Sequence, residues 1–128
     1  MKYTIPGRLA GANEAIKALG ASRYRSGDLK RSETKRCAMA AIAGGVGAIK
    51  RPIQVHFHWI EPNQRRDLDN VRFGAKYILD GLRECGRLPN DGWAWVKGMS
   101  DTFSVDEKDP RVEVSINEIP APSARENV

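Results

Sequence analysis

The stretch IQVHFHWIEPNQRRDLDN, residues 53–70, decides the fold. In its first half Ile53, Val55, Phe57 and Trp59 recur at every second position, so in an extended chain they share one face and His56 and His58 share the other. This period of two predicts a strand over 53–60, buried on one side. Glu61-Pro62-Asn63-Gln64 breaks the pattern and delivers the chain through Asp67-Leu68-Asp69-Asn70 into a helix predicted from about Asn70 to Cys85, where Gly86 stops it. At roughly 100° per residue, Val71, Ala75, Ile78 and Leu82 make one apolar stripe, while Lys76 and Asp80 line up with Asp69 on the opposite side. A half-buried strand followed by an amphipathic helix requires the helix to lie on the sheet.

Outward from this unit, Tyr3 to Ile5 predicts a short edge strand ended by Pro6-Gly7. Asn13 is expected to cap a short helix carrying Ile16 and Leu19 and ending at Gly20. A second helix is predicted from Asp28 to about Val46, capped by Ser26 or Asp28 and ended at Gly44-Gly45. After a loop at Arg87–Gly92, Trp93 to Val96 reads as a short strand. Phe103 and Val105, with Val112, Val114 and Ile116, read as a two-stranded hairpin around Asp109-Pro110. Strands and helices are interspersed without the alternation of a doubly wound fold. The expected class is therefore α/β in the broad sense, an α+β fold with a mixed sheet and packed helices. One domain is expected over 1–119, with a disordered tail at 120–128.

The chain has 128 residues, and its 21 Lys and Arg against 16 Asp and Glu leave a formal charge of +5, which suits a polyanionic partner such as nucleic acid. The longest apolar stretch, Ala38 to Ile49, is too short to cross a bilayer. Pro6, Gly7 and Arg8 interrupt the N-terminus before a secretory signal can build up, so a cytoplasmic protein without membrane association is expected. Cys37 and Cys85 stand far apart and lack neighbours at zinc-ligand spacing; both are expected to be reduced packing residues.

Asp67 and Asp69, one residue apart, point to the same side of an extended chain and can hold one hard cation, for which Mg²⁺ is suited. The competing reading is a helix N-cap plus a charge near the positive end of the helix dipole, worth about 0.3–2 kcal/mol. Asp91 lies in Pro-Asn-Asp-Gly, where a turn aspartate ordinarily bonds its own backbone. Lys76 starts about 10.5 Å along the helix from Asp69, but its Cβ tilts back toward the helix start; Asp80, at i+4, is its expected partner. Arg23, Arg25, Lys30, Arg31, Lys35 and Arg36 cluster with Tyr24, either as a phosphate-gripping patch or as an ordinary solvated helix face. Arg65 and Arg66 either hold DNA or offset the acidic repulsion beside them. His56-x-His58 has transition-metal spacing, but histidines satisfied within the sheet are the expected state. Trp59, Trp93 and Trp95 are expected to pack rather than to stack on bases.

Taken together, RRDLDN, the helix ending in ILDGL and the PND loop resemble the RusA family of Holliday-junction endodeoxyribonucleases, often carried by phages. The resemblance extends from YTIPGR through HFHWIEP to PRVEVSI and omits only the tail from Pro120. It implies a dimeric, RusA-like α/β hydrolase that resolves four-way junctions in DNA recombination and repair. It also implies that Asp67, Asp69 and Asp91 bind Mg²⁺, with Mn²⁺ as a substitute, and that Lys76 assists catalysis. The DNA contacts would come from Arg23, Arg25, Lys30, Arg31, Arg65 and Arg66. Two departures stand out: the loop has Asn90-Asp91 where many members have two acidic residues, and Phe73 stands where the family lysine often falls. The alternative is a non-catalytic basic module that binds DNA junctions and keeps the acidic box as a helix cap.

Overall fold

The structure, a computed structural model, describes residues 1–120; the tail expected at 120–128 lies almost wholly outside them. Its elements run β1 (Lys2–Pro6), α1 (Ala12–Ala21), α2 (Arg23–Ala43), β2 (Ile53–Glu61), α3 (Leu68–Arg72), α4 (Ala75–Glu84), β3 (Val96–Val105) and β4 (Arg111–Glu118). The four strands form a single mixed sheet in the order β1-β4-β2-β3. β4 is antiparallel to both β1 and β2, whereas β3 is parallel to β2. This is the mixed α+β class that the sequence predicts.

One sheet face supplies the core. Tyr3 and Ile5 of β1, Val112, Val114 and Ile116 of β4, and Ile53, Val55, Phe57 and Trp59 of β2 are all buried beneath the helices. α2 packs on α4 and on β1, and α1 leans on α2 and α3. Gly81 is the point of closest approach: an added Cβ there would lie 2.8 Å from the Ala38 nitrogen and from the Cys37 Cβ. Cys37 is free and buried in this seam, where loss of hydration pushes its thiol pKa up to about 12; Cys85 is free as well. Glycines end α2 and α4 as expected, since Gly45 (φ +73°) and Gly86 (φ +74°) take the left-handed conformation. The following amides of Val46 and Arg87 then donate back to the Ala41 and Leu82 carbonyls.

Four sequence expectations are corrected. The hairpin expected between Phe103–Val105 and Val112–Ile116 does not form, because β2 lies between β3 and β4. Val112, Val114 and Ile116 are fully buried and need neighbours on both sides, whereas β3 leaves Met99 and Val105 half exposed and suits an edge. Trp93 to Trp95 form a turn rather than a strand, and Trp93 is 93% exposed, contrary to the packing expected of it; Trp59 is buried and Trp95 packs against the core. The helix expected from Asn70 to Cys85 is two helices. At Phe73-Gly74 the hydrogen bonds shorten to three-residue steps, Gly74 N–H to Val71 O and Lys76 N–H to Phe73 O, at a glycine that weakens a helix interior and whose added Cβ would lie 3.0 Å from Leu9 and 3.3 Å from Trp59. The apolar stripe Val71, Ala75, Ile78 and Leu82 is nonetheless buried throughout.

The fourth correction concerns caps. α2 begins at Arg23, with the Ser22 hydroxyl accepting from the Arg25 amide, ahead of both Ser26 and Asp28. α1 is capped not by Asn13 but by Gly11, whose missing side chain is replaced from a distance by Asn70: its Oδ1 accepts the Asn13 amide at 2.9 Å. α1 buries none of its residues, leaving Ile16 and Leu19 in solvent. Among the described residues no helix is long and apolar enough to cross a membrane.

Candidate functional site

Asp67 occupies the N-cap position of α3, yet its carboxylate makes no capping bond; Asp69 follows in the first turn and accepts only the Asn70 amide, at 2.9 Å. Both side chains are exposed, and among the described residues neither forms a salt bridge. The capping hydrogen bond of the competing reading is therefore absent, while its charge at the helix start remains. Asn70, the last residue of the box, is buried with 8% of its surface exposed and fastens α3 to the start of α1.

The wall beside this pair is rigidly braced. Glu61 at the end of β2 takes two bonds from Arg66, Nε at 2.9 Å and Nη2 at 3.0 Å, and one from Arg8 at 3.0 Å. Burial works to raise the Glu61 pKa, but the hydrogen bonds and charges of Arg66 and Arg8 outweigh it and hold the carboxyl below its ordinary range. Arg66 also donates to the Leu9 carbonyl, so this cation is committed within the protein, whereas Arg65 is exposed. A cleft of ≈ 260 Å³ opens here, with Asp67, Leu68 and Val71 on one side, Phe103 and Val105 on the other, and Arg66 and Glu61 at its margin.

Asp91 sits elsewhere. Asn90, not Asp91, makes the turn bond, its Oδ1 accepting the Gly92 amide at 2.6 Å, which leaves the Asp91 carboxylate free to meet Arg83 at 3.4 Å. Its cleft, ≈ 530 Å³, is lined by Leu79, Trp93 and the β3 residues Val96 to Met99. At roughly 3.3 Å per strand residue, the β3 segment beside Asp91 is about 20 Å from the segment beside Asp67. Among the described residues no group of three His, Cys, Asp or Glu side chains is placed to hold a metal ion. The oxygen donors of Asp67 and Asp69 suit a hard divalent cation; the third aspartate is not brought to them within one chain.

Lys76 meets Asp80 at 3.8 Å, the i+4 pair expected. Arg23, Arg25, Lys30 and Arg31 are all exposed on the N-terminal half of α2, and Arg31 reaches Asp28 only at 3.9 Å. Lys35 is exposed beyond them, whereas Arg36 turns inward to Glu33 and to the Pro6 and Arg8 carbonyls. Lys30 and Arg31 continue into a groove of ≈ 410 Å³ shared with Thr34, Asp80 and Arg83. His56 and His58 face away from the core, each with both ring nitrogens bonded to hydroxyls: Ser100 and Thr102 for His56, Thr102 and Ser104 for His58. They are satisfied sheet histidines, as expected.

Sequence reasoning missed Asp101. Its two oxygens accept from the Trp59 indole at 2.8 Å and from Arg72 at 3.0 Å, tying α3 to β2 and β3. The available signal was an acidic residue in phase with Phe103 on the inward side of a strand. No protein-family model and no curated protein sequence matches this chain.

Proposed function

We propose that the protein is a Mg²⁺-dependent, structure-selective endodeoxyribonuclease that cuts four-way DNA junctions, acting as a homodimer of RusA-like subunits. The observation that carries this reading is the state of Asp67: a helix-cap aspartate whose carboxylate caps nothing, exposed beside Asp69 at the rim of a cleft. Two adjacent carboxylates without a protein cation repel each other, an arrangement that a divalent ion relieves. Bound Mg²⁺ would polarise the scissile phosphate and acidify a water.

The chain's own contributions follow from its contacts. Asn70 and Asp101 fix α3 from both ends and so present Asp67 and Asp69 in one orientation. Arg65, exposed next to the pair, would grip the DNA strand being cut; Arg66 neutralises Glu61 and holds the wall. Arg23, Arg25, Lys30 and Arg31 bind backbone phosphates along α2, giving sequence-independent affinity that falls with salt. Lys76 supplies a compact positive charge for the developing negative charge, on release from Asp80.

The test is a synthetic four-way junction with Mg²⁺. Paired nicks by the wild-type protein, lost in Asp69→Asn while salt-sensitive junction binding persists, are the expected result. Binding without any metal-dependent product would instead establish the non-catalytic junction-binding module.

A further inference from the structure

Two hollows adjoin at a single ion pair. The first is the groove of ≈ 410 Å³ between α2 and α4, whose cations are Lys30, Arg31 and Arg83. The second is the cleft of ≈ 530 Å³ between α4 and β3, lined by Leu79, Trp93, Met99 and Lys97 among others. Arg83 lines the groove and meets Asp91 of the cleft at 3.4 Å, so the groove runs into the cleft across this pair. Acidic groups lie along the way, but Asp80 is answered by Lys76 at 3.8 Å and Asp91 by Arg83, which leaves Glu84 as the unpaired acid among the described residues. Lys30 and Lys97 form no ion pair among the described residues, and Arg31 reaches Asp28 only at 3.9 Å. Trp93 is the outlier on this path. It is 93% exposed, whereas Trp59 is buried and Trp95 packs against the core. Its indole, with half-exposed Met99 and buried Leu79, gives the cleft apolar walls at the end of a cationic groove.

We propose that this path binds an unpaired DNA strand, with phosphates on Lys30, Arg31 and Arg83 and a nucleobase stacked on Trp93 in the cleft. Such a strand offers both halves of the match. Its backbone is a row of anions for the groove, and each base presents a flat π-face that an exposed indole takes whatever the sequence. An acidic peptide would satisfy the cations and leave the indole without a flat partner, while a duplex keeps its π-faces inside its own stack. Arg83 stands where the two halves join, and its planar guanidinium can serve a phosphate with two parallel donors. Asp91 is then a positioning residue, holding Arg83 at the mouth of the cleft. Exposed Arg23 and Arg25 continue the line of cations toward the start of α2. The path shares no lining residue with the cleft beside Asp67, so a strand held on it leaves the Asp67–Asp69 pair unobstructed. Its effect is selection: branched DNA with an unpaired arm is held more tightly than DNA that is paired throughout.

The choice of DNA rests on the nuclease reading above; the contacts do not, and binding measured in EDTA keeps the two apart. A labelled oligothymidylate is titrated by fluorescence anisotropy while tryptophan emission is followed in parallel. Salt-sensitive binding that quenches the emission is expected, because Trp93 is the one exposed indole of the three. Trp93→Ala should weaken oligothymidylate binding roughly tenfold and abolish the quench, with affinity for a blunt duplex within about twofold of wild type. Arg83→Gln should keep the quench and lower the slope of log affinity against log salt by roughly 0.7. Both side chains are exposed, and melting curves that match wild type show that the fold is kept. Wild-type affinity in Trp93→Ala, or binding without a quench, overturns the stacking site even where junctions are cut. Equal competition by polyglutamate assigns the path to an acidic peptide and overturns it as well; tighter binding of oligouridylate overturns DNA as the ligand. Junctions left uncut by a protein that binds and is quenched by oligothymidylate remove the nuclease reading and leave this site standing.

Discussion

Replacing Asn70 and Asp67 separately distinguishes scaffold from chemistry within a single four-residue box. Asn70 is buried, and its Oδ1 serves the Asn13 amide that Gly11 has no side chain to serve. In Asn70→Ala that amide, on an exposed residue at the start of α1, loses its acceptor to water, and the loss of the cap costs about 0.5–2 kcal/mol. At about 4 °C per kcal/mol for a domain of this size, Tm should fall by about 2–8 °C. Asp67→Asn keeps the shape, removes no capping bond and surrenders a charge–dipole attraction of about 0.3–1 kcal/mol. Relief of repulsion from Asp69 offsets that loss, so stability should stay within about 0.5 kcal/mol of wild type. Urea titration followed by circular dichroism reads both. A loss above about 1 kcal/mol in Asp67→Asn, or none in Asn70→Ala, would refute this division and restore Asp67 as an ordinary cap.

Gly81→Ala should destabilise by about 1–3 kcal/mol despite the helix-favouring exchange, because the new methyl meets the α2 backbone and Cys37; thermal melting gives the sign. Glu61→Gln should cost about 3 kcal/mol near neutral pH by leaving Arg8 and Arg66 without their anion. Since the folded Glu61 pKa lies below 4.5, its contribution is complete above that pH and is lost as pH falls through the folded value. The gap between wild type and Glu61→Gln should therefore narrow below pH 4.5 in denaturation curves collected across pH. Neutralising Arg23, Arg25, Lys30 and Arg31 together should flatten the plot of log affinity against log salt for junction DNA, by roughly 0.9 for each phosphate that is no longer neutralised; an unchanged slope would remove α2 from the interface.

What the sequence made legible was periodicity and punctuation. The alternation in β2, the stripe on α3 and α4, and the glycine stops after α2 and α4 are local signals whose physics acts within a few residues, and the structure has them where they were expected. The errors fall where the deciding contact is remote. Nothing near Phe103 or Val112 records that β2 will come between their strands, and nothing near Gly74 records that Trp59 and Leu9 will press on it. The cap of α1 is an extreme case, because its acceptor, Asn70, is contributed from the far side of β2 in the sequence. Asp67, Asp69 and Asp91 show the same limit at the candidate site. Residue type and local spacing mark each carboxylate as a candidate, and the structure adds that Asn90 leaves Asp91 free and that α3 leaves Asp67 uncapped. Whether they act together depends on where each is held, and among the described residues no third His, Cys, Asp or Glu side chain joins Asp67 and Asp69 in a group placed for a metal ion. Asp91 meets Arg83 instead, in a segment tied down on both sides. Bringing Asp91 to the pair within one chain would break the Ile53–Trp95 and Ile49–Arg87 backbone bonds that hold its segment, which no signal near Asp91 in the sequence records.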